Sequence, residues 1–467
     1  MIPPSHSEVR AAGLGARDFL GHPRGLAVLF ATESWERFSY FGNAALVVLY
    51  MVKYLLEPGR VETVLGFGAV KAALEFLFGR LDPQPLASQI FGFYTGLAYF
   101  MPVLGGLIAD RLLGQRRTVI IGGVLMAIGH FMMAFETLFL GALLMLILGI
   151  GAFKPNISTQ VGSLYPPGDD RRDRAYSIFY LGINIGAFLA PLVCGTLAVQ
   201  YGWHAGFGAA GVGMLVGLGI YLGGQRTLPP DALPQARTLA AEKKKPLGAG
   251  ERRAVLTLIG VCALVTMFWA AYDQQGNTLV LWAEDFTDRS IDLLVWRGEV
   301  PSTWFLALNP LMIFIFTPLI VRLWARQGRQ GTELSAISKM AFGCLCVACA
   351  NLVMAAAAWT AAGKASALWL VGYFAIATIG ELHLAPVGLA LVSKMAPARI
   401  LSMMMGFWFA ATLPGDILAG FLGGFWSTMA KPDFFLMIAS IAAVGSAAIW
   451  ATSRVTRNQQ AAAPDRT

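Results

Sequence analysis

The first long apolar stretch of the chain carries three charged side chains, within Ala31-Thr32-Glu33-Ser34-Trp35-Glu36-Arg37-Phe38-Ser39-Tyr40-Phe41. In a helix, residues three or four positions apart lie on the same face. This spacing places five side chains on one face: Glu33, Glu36, Arg37, Tyr40 and Ala44. Each charge at the centre of a membrane span costs about 2.5–3.5 kcal/mol, which predicts a function for the cluster. Two carboxylates facing one guanidinium leave one carboxylate as a candidate proton-binding group.

The composition predicts a polytopic helical membrane protein. The 467 residues are 56% hydrophobic and 13% charged, with a mean hydropathy of +0.61, whereas an ordinary soluble domain is about 25% charged. Apolar runs long enough to span a bilayer recur along the whole chain. We therefore expect an all-α protein embedded in the lipid bilayer.

The apolar runs predict twelve transmembrane helices. They lie at about 26–54, 86–112, 117–135, 138–164, 174–199, 204–224, 253–284, 302–325, 335–360, 366–393, 399–425 and 433–452. Lys and Arg are concentrated in the loops on one side, for example in Arg171-Arg172 and Lys243-Lys244-Lys245, which predicts that both termini are cytoplasmic. The net charge of +8 then reflects membrane topology, and we expect no nucleic-acid partner.

The longest internal loop divides the predicted spans six and six. The predicted organisation is a cytoplasmic N-terminal segment (1–25), a six-helix bundle (26–224), a cytoplasmic linker (225–252), a second six-helix bundle (253–452) and a cytoplasmic tail (453–467). Residues at about 61–81 in the first outer loop predict an interfacial helix. Two bundles of equal size are typical of transporters with the substrate path between them.

Further polar side chains lie within the predicted spans. Lys154 is followed by a proline deep in span four, and Asn184 lies between glycines in span five. The second half adds buried acids and amides, namely Asp273, Asn309 and Glu381, together with Trp269 and Trp408. Such groups at membrane depth mark substrate or ion pathways more often than packing. No metal-ligand spacing and no nucleophile–base pair is evident, so we predict neither a metal site nor an enzyme.

One turn of the chain resembles a motif of a known superfamily, and four further segments resemble one family within it. The turn Gly105-Gly106-Leu107-Ile108-Ala109-Asp110-Arg111 resembles the cytoplasmic motif of the major facilitator superfamily, in which Asp110 and Arg111 respond to conformational change. The whole chain resembles the proton-dependent oligopeptide transporter family of that superfamily. That resemblance rests on four segments: Glu33 to Phe41, Phe153-Lys154-Pro155-Asn156-Ile157-Ser158, Phe179 to Asn184, and Gly380-Glu381 through Pro386 to Leu389.

The resemblance implies a role for each matching residue. Glu33, Glu36, Arg37, Lys154 and Asp273 match proton-coupling positions, and Asp273 matches the acid tied to extracellular gating. Asn184, Asn309 and Glu381 match groups that hold the peptide amino terminus. Tyr40, Tyr99, Trp269 and Trp408 match aromatic residues of the side-chain pockets, and Lys154 also contacts substrate.

Three positions depart from the family pattern. Ala44 replaces a second cavity arginine, Phe41 replaces a tyrosine, and Ala385 replaces a serine. Two cations, Arg37 and Lys154, therefore face four cavity acids. We expect Lys154 alone to bind the peptide carboxylate, which predicts a selectivity for peptide length or charge that differs from members with both cations.

The resulting prediction is a proton-coupled symporter that imports di- and tripeptides by alternating access as a functional monomer. It would lie in a bacterial inner (plasma) membrane and need no cofactor besides protons. Two alternatives remain. One is a carrier of the same fold for another small solute, such as an amino acid, nitrate or a drug. The other is a membrane sensor that binds peptides without transporting them.

Overall fold

A computed structural model describes residues 19–166, 169–230, 248–293, 296–397 and 400–461. The predicted N-terminal segment up to residue 18, the Lys243-Lys244-Lys245 run of the linker and the end of the tail lie outside the described residues. Within the described part, long helices account for nearly all of the regular structure. The protein is an all-α membrane protein, as predicted.

Among the described residues, seven α-helices precede the linker and eight follow it. The first seven are α1 (Arg24–Tyr50), α2 (Phe67–Phe78), α3 (Pro83–Ile108), α4 (Gln115–Met132), α5 (Phe139–Ser163), α6 (Arg171–Tyr201) and α7 (Trp203–Gly224). The others are α8 (Ala249–Tyr272), α9 (Thr278–Asp285), α10 (Leu308–Arg329), α11 (Ala336–Thr360), α12 (Leu368–Met395), α13 (Leu401–Ala410), α14 (Thr412–Gly423) and α15 (Lys431–Ala461). Helices α8 and α9 form one interrupted span, and so do α13 and α14.

Eleven helical segments among the described residues are long and apolar enough to cross a membrane. Helix α4 has 18 residues and begins with Gln115, Arg116 and Arg117, which lowers its hydropathy, although it packs between α5 and α7. Counting α4, the fold fits the twelve predicted spans. Prolines inside several spans are tolerated because neighbouring helices satisfy the freed backbone groups.

The two bundles pack together through close contacts between α3 and α14. A Cβ atom on Gly420 would lie 2.7 Å from the Ser88 carbonyl oxygen and 3.3 Å from the Gly92 Cα atom. Because only glycine lets two backbones approach this closely, these residues bring the bundles into direct helix–helix contact. The contact lies in the half of the molecule where α3 begins and α14 ends.

Hydrogen bonds between the bundles cluster at this same end, which we call the outer end, following the orientation that the basic loops predict. Lys53 Nζ contacts Asp285 Oδ1 at 2.6 Å, and Ser88 Oγ donates to Asn277 Oδ1 at 2.7 Å. Gln84 Nε2 donates to the Gly423 carbonyl at 2.9 Å. On the opposite flank, the indole N–H of Trp304 donates to Thr196 Oγ1 at 2.9 Å. The outer end is therefore closed.

The outer loops differ from the sequence prediction. The segment at 61–81 is not one helix: a short 3₁₀ turn (Val61–Thr63) precedes α2, and Gly66 separates them with a φ of 76°. Phe76 and Leu77 of α2 are exposed, as on a helix that contacts a membrane surface. The loop after α9 contains a hairpin of two strands, β2 (Ser290–Leu293) and β3 (Trp296–Glu299), in antiparallel register. The strands β1 (Thr287–Asp288) and β4 (Ala365–Ser366) pair in parallel.

The last helix also runs further than predicted. Helix α15 continues to Ala461, beyond the end of the membrane-spanning segment at Ser453.

Candidate functional site

The charged cluster of α1 is assembled as its spacing predicts. The Arg37 guanidinium forms a two-pronged interaction with the Glu36 carboxylate, with Arg37 Nη2 to Glu36 Oε1 at 2.6 Å. The Arg37 Nε atom also lies 3.4 Å from Glu33 Oε1. The side chains of all three are at most 3% exposed. One guanidinium is therefore shared between two buried carboxylates, and Glu33 has the longer, weaker pairing.

Two aromatic rings contact the Arg37 and Lys154 cations. The Arg37 guanidinium lies 5.1 Å from the centre of the Tyr40 ring, and the Lys154 ammonium lies 4.2 Å from the centre of the Tyr99 ring. Such cation–π contacts are worth about 0.5–2 kcal/mol. In the described part of the chain, Lys154 forms no ion pair within 4 Å, and it is partly exposed. Its ammonium group is therefore available to an incoming carboxylate.

A second polar group is built around Glu381 of α12. Tyr272 Oη donates to Glu381 Oε2 at 2.6 Å, and Asn309 Nδ2 donates to the same oxygen at 2.8 Å. Asn309 Nδ2 also lies 3.1 Å from Thr378 Oγ1. These donors orient a carboxylate that is only partly buried. A carboxylate held in this way suits the recognition of an ammonium group.

Asn184 does not join the Glu381 group directly. Its amide donates to the Tyr180 carbonyl one turn earlier in α6, at 3.0 Å. Tyr180 of the first bundle is 46% exposed and is an electrostatic neighbour of Glu381 in the second bundle. The space between the bundles therefore opens at this level, with Asn184 beside it.

The two predicted aromatic residues of the second bundle, Trp269 and Trp408, lie in different environments. Trp269 lies against Tyr272 in an edge-on arrangement, with ring centres 5.8 Å apart, so it adjoins the Glu381 group. Trp408 of α13 is buried and packs onto Gly388 of α12, where a side chain would occupy the volume of its ring. Trp408 therefore fixes the packing of α13 on α12 in this conformation.

The cytoplasmic motif at Asp110 and Arg111 and the position of Ala44 are both at least partly exposed. Asp110 and Arg111 lie exposed in a π-helical turn (Ala109–Leu113) between α3 and α4. Neither forms an ion pair with another residue in the described ranges. Ala44 is partly exposed on the cluster face of α1 and adds no charge there.

Sequence reasoning missed one acid of the site. Asp416 of α14 is 1% exposed, and its carboxyl group lies within hydrogen-bonding reach of the Asp273 carboxyl group. Asp273 occupies a 3₁₀ turn (Asp273–Gln275) that interrupts the span of α8 and α9. The signal was present, because Pro414-Gly415-Asp416 places a carboxylate inside an apolar span, the same argument that singled out Glu33.

Comparison with known proteins decides the family. Residues 116–245 and 235–441 match the sequence model of the POT family (PTR2). The chain belongs to the POT family. It is 32% identical to the peptide transporter YePEPT of Yersinia enterocolitica, over 88% of this chain and 89% of that protein. It is also 32% identical to a di-/tripeptide transporter of Lactococcus lactis subsp. cremoris, over 85% of this chain and 88% of that protein.

Solved structures of POT family members have the same architecture. A crystal structure of a peptide transporter POT in complex with sulfate superposes with a TM-score of 0.81, at 30% identity, and covers 97% of this chain and 98% of that one. A POT family transporter in complex with 5-aminolevulinic acid gives a TM-score of 0.81 at 26% identity, covering 95% and 99% of the two chains. This protein therefore has the major facilitator fold of the POT transporters.

Membership of the POT family settles the broad class of this protein. It is an integral membrane transporter of the inner membrane and not an enzyme, and POT members are ion-coupled carriers with no known cofactor. Among the described residues, no group of three His, Cys, Asp or Glu side chains could hold a metal ion.

Proposed function

We propose that this POT family member is a proton-coupled symporter that imports di- and tripeptides across the bacterial cytoplasmic membrane. The proposal rests on one positive group and one negative group that lie on opposite bundles. The Lys154 ammonium, which forms no ion pair within 4 Å in the part of the chain that the structure describes, lies on the first bundle, and an oriented carboxylate, Glu381, lies on the second. A zwitterionic peptide presents the complementary pair.

Each end of the peptide has a partner in this arrangement. The peptide carboxylate binds Lys154, whose aromatic neighbour Tyr99 positions the ammonium. The peptide ammonium binds Glu381, which Tyr272 and Asn309 already orient. Binding of both ends joins the two bundles through the substrate, and this differential contact favours one of the two global states. Trp269, Tyr40 and Trp408 line or support the side-chain space.

Proton coupling is assigned to the α1 cluster. Arg37 is shared between Glu36 and Glu33, so a proton on either carboxylate frees part of the guanidinium for other partners. Lys154 is an electrostatic neighbour of both carboxylates. A proton entering the cluster and a peptide carboxylate arriving at Lys154 are therefore coupled through the same charges. The coupled carboxylates share the proton as a unit.

Alternating access supplies the motion. The outer end is closed by contacts such as Ser88 to Asn277, and the space between the bundles opens beside Tyr180. Rocking of the bundle at 26–224 against that at 253–452 breaks the outer contacts and forms contacts at the other end, where Asp110 and Arg111 lie exposed in this state. A single chain in the bilayer contains every residue of this cycle, which supports a monomeric transporter.

The proposal is tested by competition. Purified protein in proteoliposomes is given a labelled neutral dipeptide together with unlabelled tripeptide, N-acetylated dipeptide, dipeptide amide, free amino acid or nitrate. Di- and tripeptides should compete, while blocking either end should weaken competition at least tenfold. Equal competition by a free amino acid such as 5-aminolevulinic acid, which one similar structure contains, would favour an amino-acid carrier. Binding without uptake would favour a sensor.

A further inference from the structure

The acid that the sequence reasoning missed, Asp416, lies where the outer gate closes. It belongs to α14, the helix that packs against α3 of the other bundle. A Cβ atom on Gly96 would lie 3.2 Å from the Asp416 Cβ atom, and one on Gly92 would lie 2.5 Å from the Asp416 carbonyl oxygen. The two α3 glycines therefore cover the turn that carries Asp416 and leave it 1% exposed. Closing of the outer end buries this carboxyl group.

Asp416 is buried against a second acid, and its cationic neighbour Lys154 lies beyond ion-pairing distance. Its carboxyl group meets that of Asp273, and within the described residues neither acid forms an ion pair with Lys or Arg within 4 Å. The Oδ2 atoms of both are buried without a hydrogen-bond donor. The surrounding titratable groups come from several helices: Tyr40 of α1, Tyr99 of α3, Lys154 of α5, Tyr272 of α8, and Tyr373 and Glu381 of α12.

Two carboxylates in contact and away from water repel one another strongly, whereas a carboxylic acid and a carboxylate share a hydrogen bond. One proton between Asp273 and Asp416 removes this repulsion and supplies the missing donor. When the bundles separate at the outer end, α3 uncovers α14 and water reaches both acids. The proton is then no longer required, since water solvates two separate carboxylates.

We propose that Asp416 is a second proton-binding residue of the transport cycle, which shares one proton with Asp273 when the outer gate is closed. Closing of the gate takes up this proton and opening releases it, so acid on the outside favours closing. The inference rests on the proposed function for its place in the cycle. It adds a coupling residue on the second bundle to the cluster around Arg37 on the first.

The test measures the gate itself, without substrate. Spin labels at the exposed outer positions Arg80 and Thr428, in a variant whose native cysteines are replaced, report the separation of the bundles between pH 5 and pH 8. In the parent protein, the closed fraction should rise at least fivefold as the pH falls. In Asp416→Asn, the amide supplies the donor that the proton supplied, so the closed fraction should change less than twofold.

Four further variants keep the test decisive. Asp416→Glu restores a titratable group and should restore the pH dependence, which a purely structural role would not. Asp273→Asn alone and combined with Asp416→Asn should each match Asp416→Asn, because a shared proton is lost when either acid is removed. Asp433→Asn neutralises an exposed acid at the outer end and should behave like the parent.

Either of two results would overturn the proposal: a parent gate that ignores pH, or an Asp416→Asn variant that keeps the parent's pH dependence. If one of the asparagine variants fails to fold, the other carries the same prediction. Because no peptide is present, failure here leaves the competition experiment unaffected. Failure of peptide uptake would likewise leave the gate measurement interpretable.

Discussion

The Asn309 amide donates a hydrogen bond of 2.8 Å to the Glu381 carboxylate. Asn309 lies in the first turn of α10 and Glu381 in the middle of α12, so a residue of one helix orients an acid of another within the second bundle. Tyr272 of α8 contributes a second bond to the same oxygen. An acid fixed from two sides and still partly exposed is a preformed site for an ammonium group.

Neutralising this acid should weaken peptide binding. In Glu381→Gln, the peptide ammonium loses a charged hydrogen-bond partner worth about 1.5–3 kcal/mol, so the KM for a neutral dipeptide should rise at least tenfold. Uptake measured over a range of peptide concentrations provides the KM. Thr378→Val, which removes a neighbour of Asn309 without changing charge, serves as the control and should change KM less than threefold. A Glu381→Gln variant with the parent's KM would exclude Glu381 from substrate binding.

The contacts at the outer end should differ in importance according to their burial. The side chains of Ser88 and Asn277 are fully buried. Ser88→Ala therefore leaves the buried Asn277 oxygen without this donor, which costs the closed state about 1–3 kcal/mol. The Lys53–Asp285 pair is 39% and 37% exposed, and exposed pairs contribute about 0–1 kcal/mol. We expect Ser88→Ala to slow uptake several-fold and Lys53→Met to change it less than twofold. The opposite ranking would assign gating to the exposed pair.

Arg37 should stabilise the folded protein as well as couple it to protons. Removing one partner of a buried ion pair costs about 3–5 kcal/mol, because it leaves an uncompensated buried charge. Arg37→Gln should therefore lower the midpoint of thermal unfolding in detergent, and the double variant Arg37→Gln with Glu36→Gln should recover part of the loss. A double variant less stable than Arg37→Gln alone would show that the charges of Glu36 and Arg37 do not compensate each other.

Ala44 predicts a selectivity that a single substitution should change. Among the described residues, five buried or half-buried acids, including Asp416, lie near the substrate space, against two cations, Arg37 and Lys154. Peptides with cationic side chains should therefore compete better than neutral ones of the same length. Ala44→Arg adds the missing charge and should reduce this preference at least threefold in the competition panel, whereas Ala44→Leu should leave it unchanged. Equal affinity for neutral di- and tripeptides, with no cationic preference in the parent, would contradict the account.

The sequence predicted the spans and the α1 cluster because both are local. Hydropathy over a window decides whether a segment crosses a bilayer, and spacing along one helix decides that Glu33, Glu36 and Arg37 share a face. The start and end of most spans therefore agree within a few residues. Grouping Asn309 with Glu381 required the family resemblance, since nothing in the spacing brings the two residues together across 72 positions.

The structural features that the sequence did not predict depend on tertiary contacts or on single glycines. The meeting of Asp273 and Asp416 follows from the packing of the interrupted span α8–α9 against α14, which no local pattern encodes. The outer segment at 61–81 has a helical composition, yet Gly66, with a positive φ, precedes α2 and separates it from the 3₁₀ turn. The strands β2 and β3 have four residues each, and a window chosen for spans does not detect them.

The most direct test of the central claim is uptake of a labelled dipeptide into proteoliposomes with and without an inward proton gradient. The account predicts accumulation above equilibrium only when the gradient is present, and loss of that accumulation, with peptide exchange retained, in Glu33→Gln. Uptake that is indifferent to the gradient would contradict proton symport.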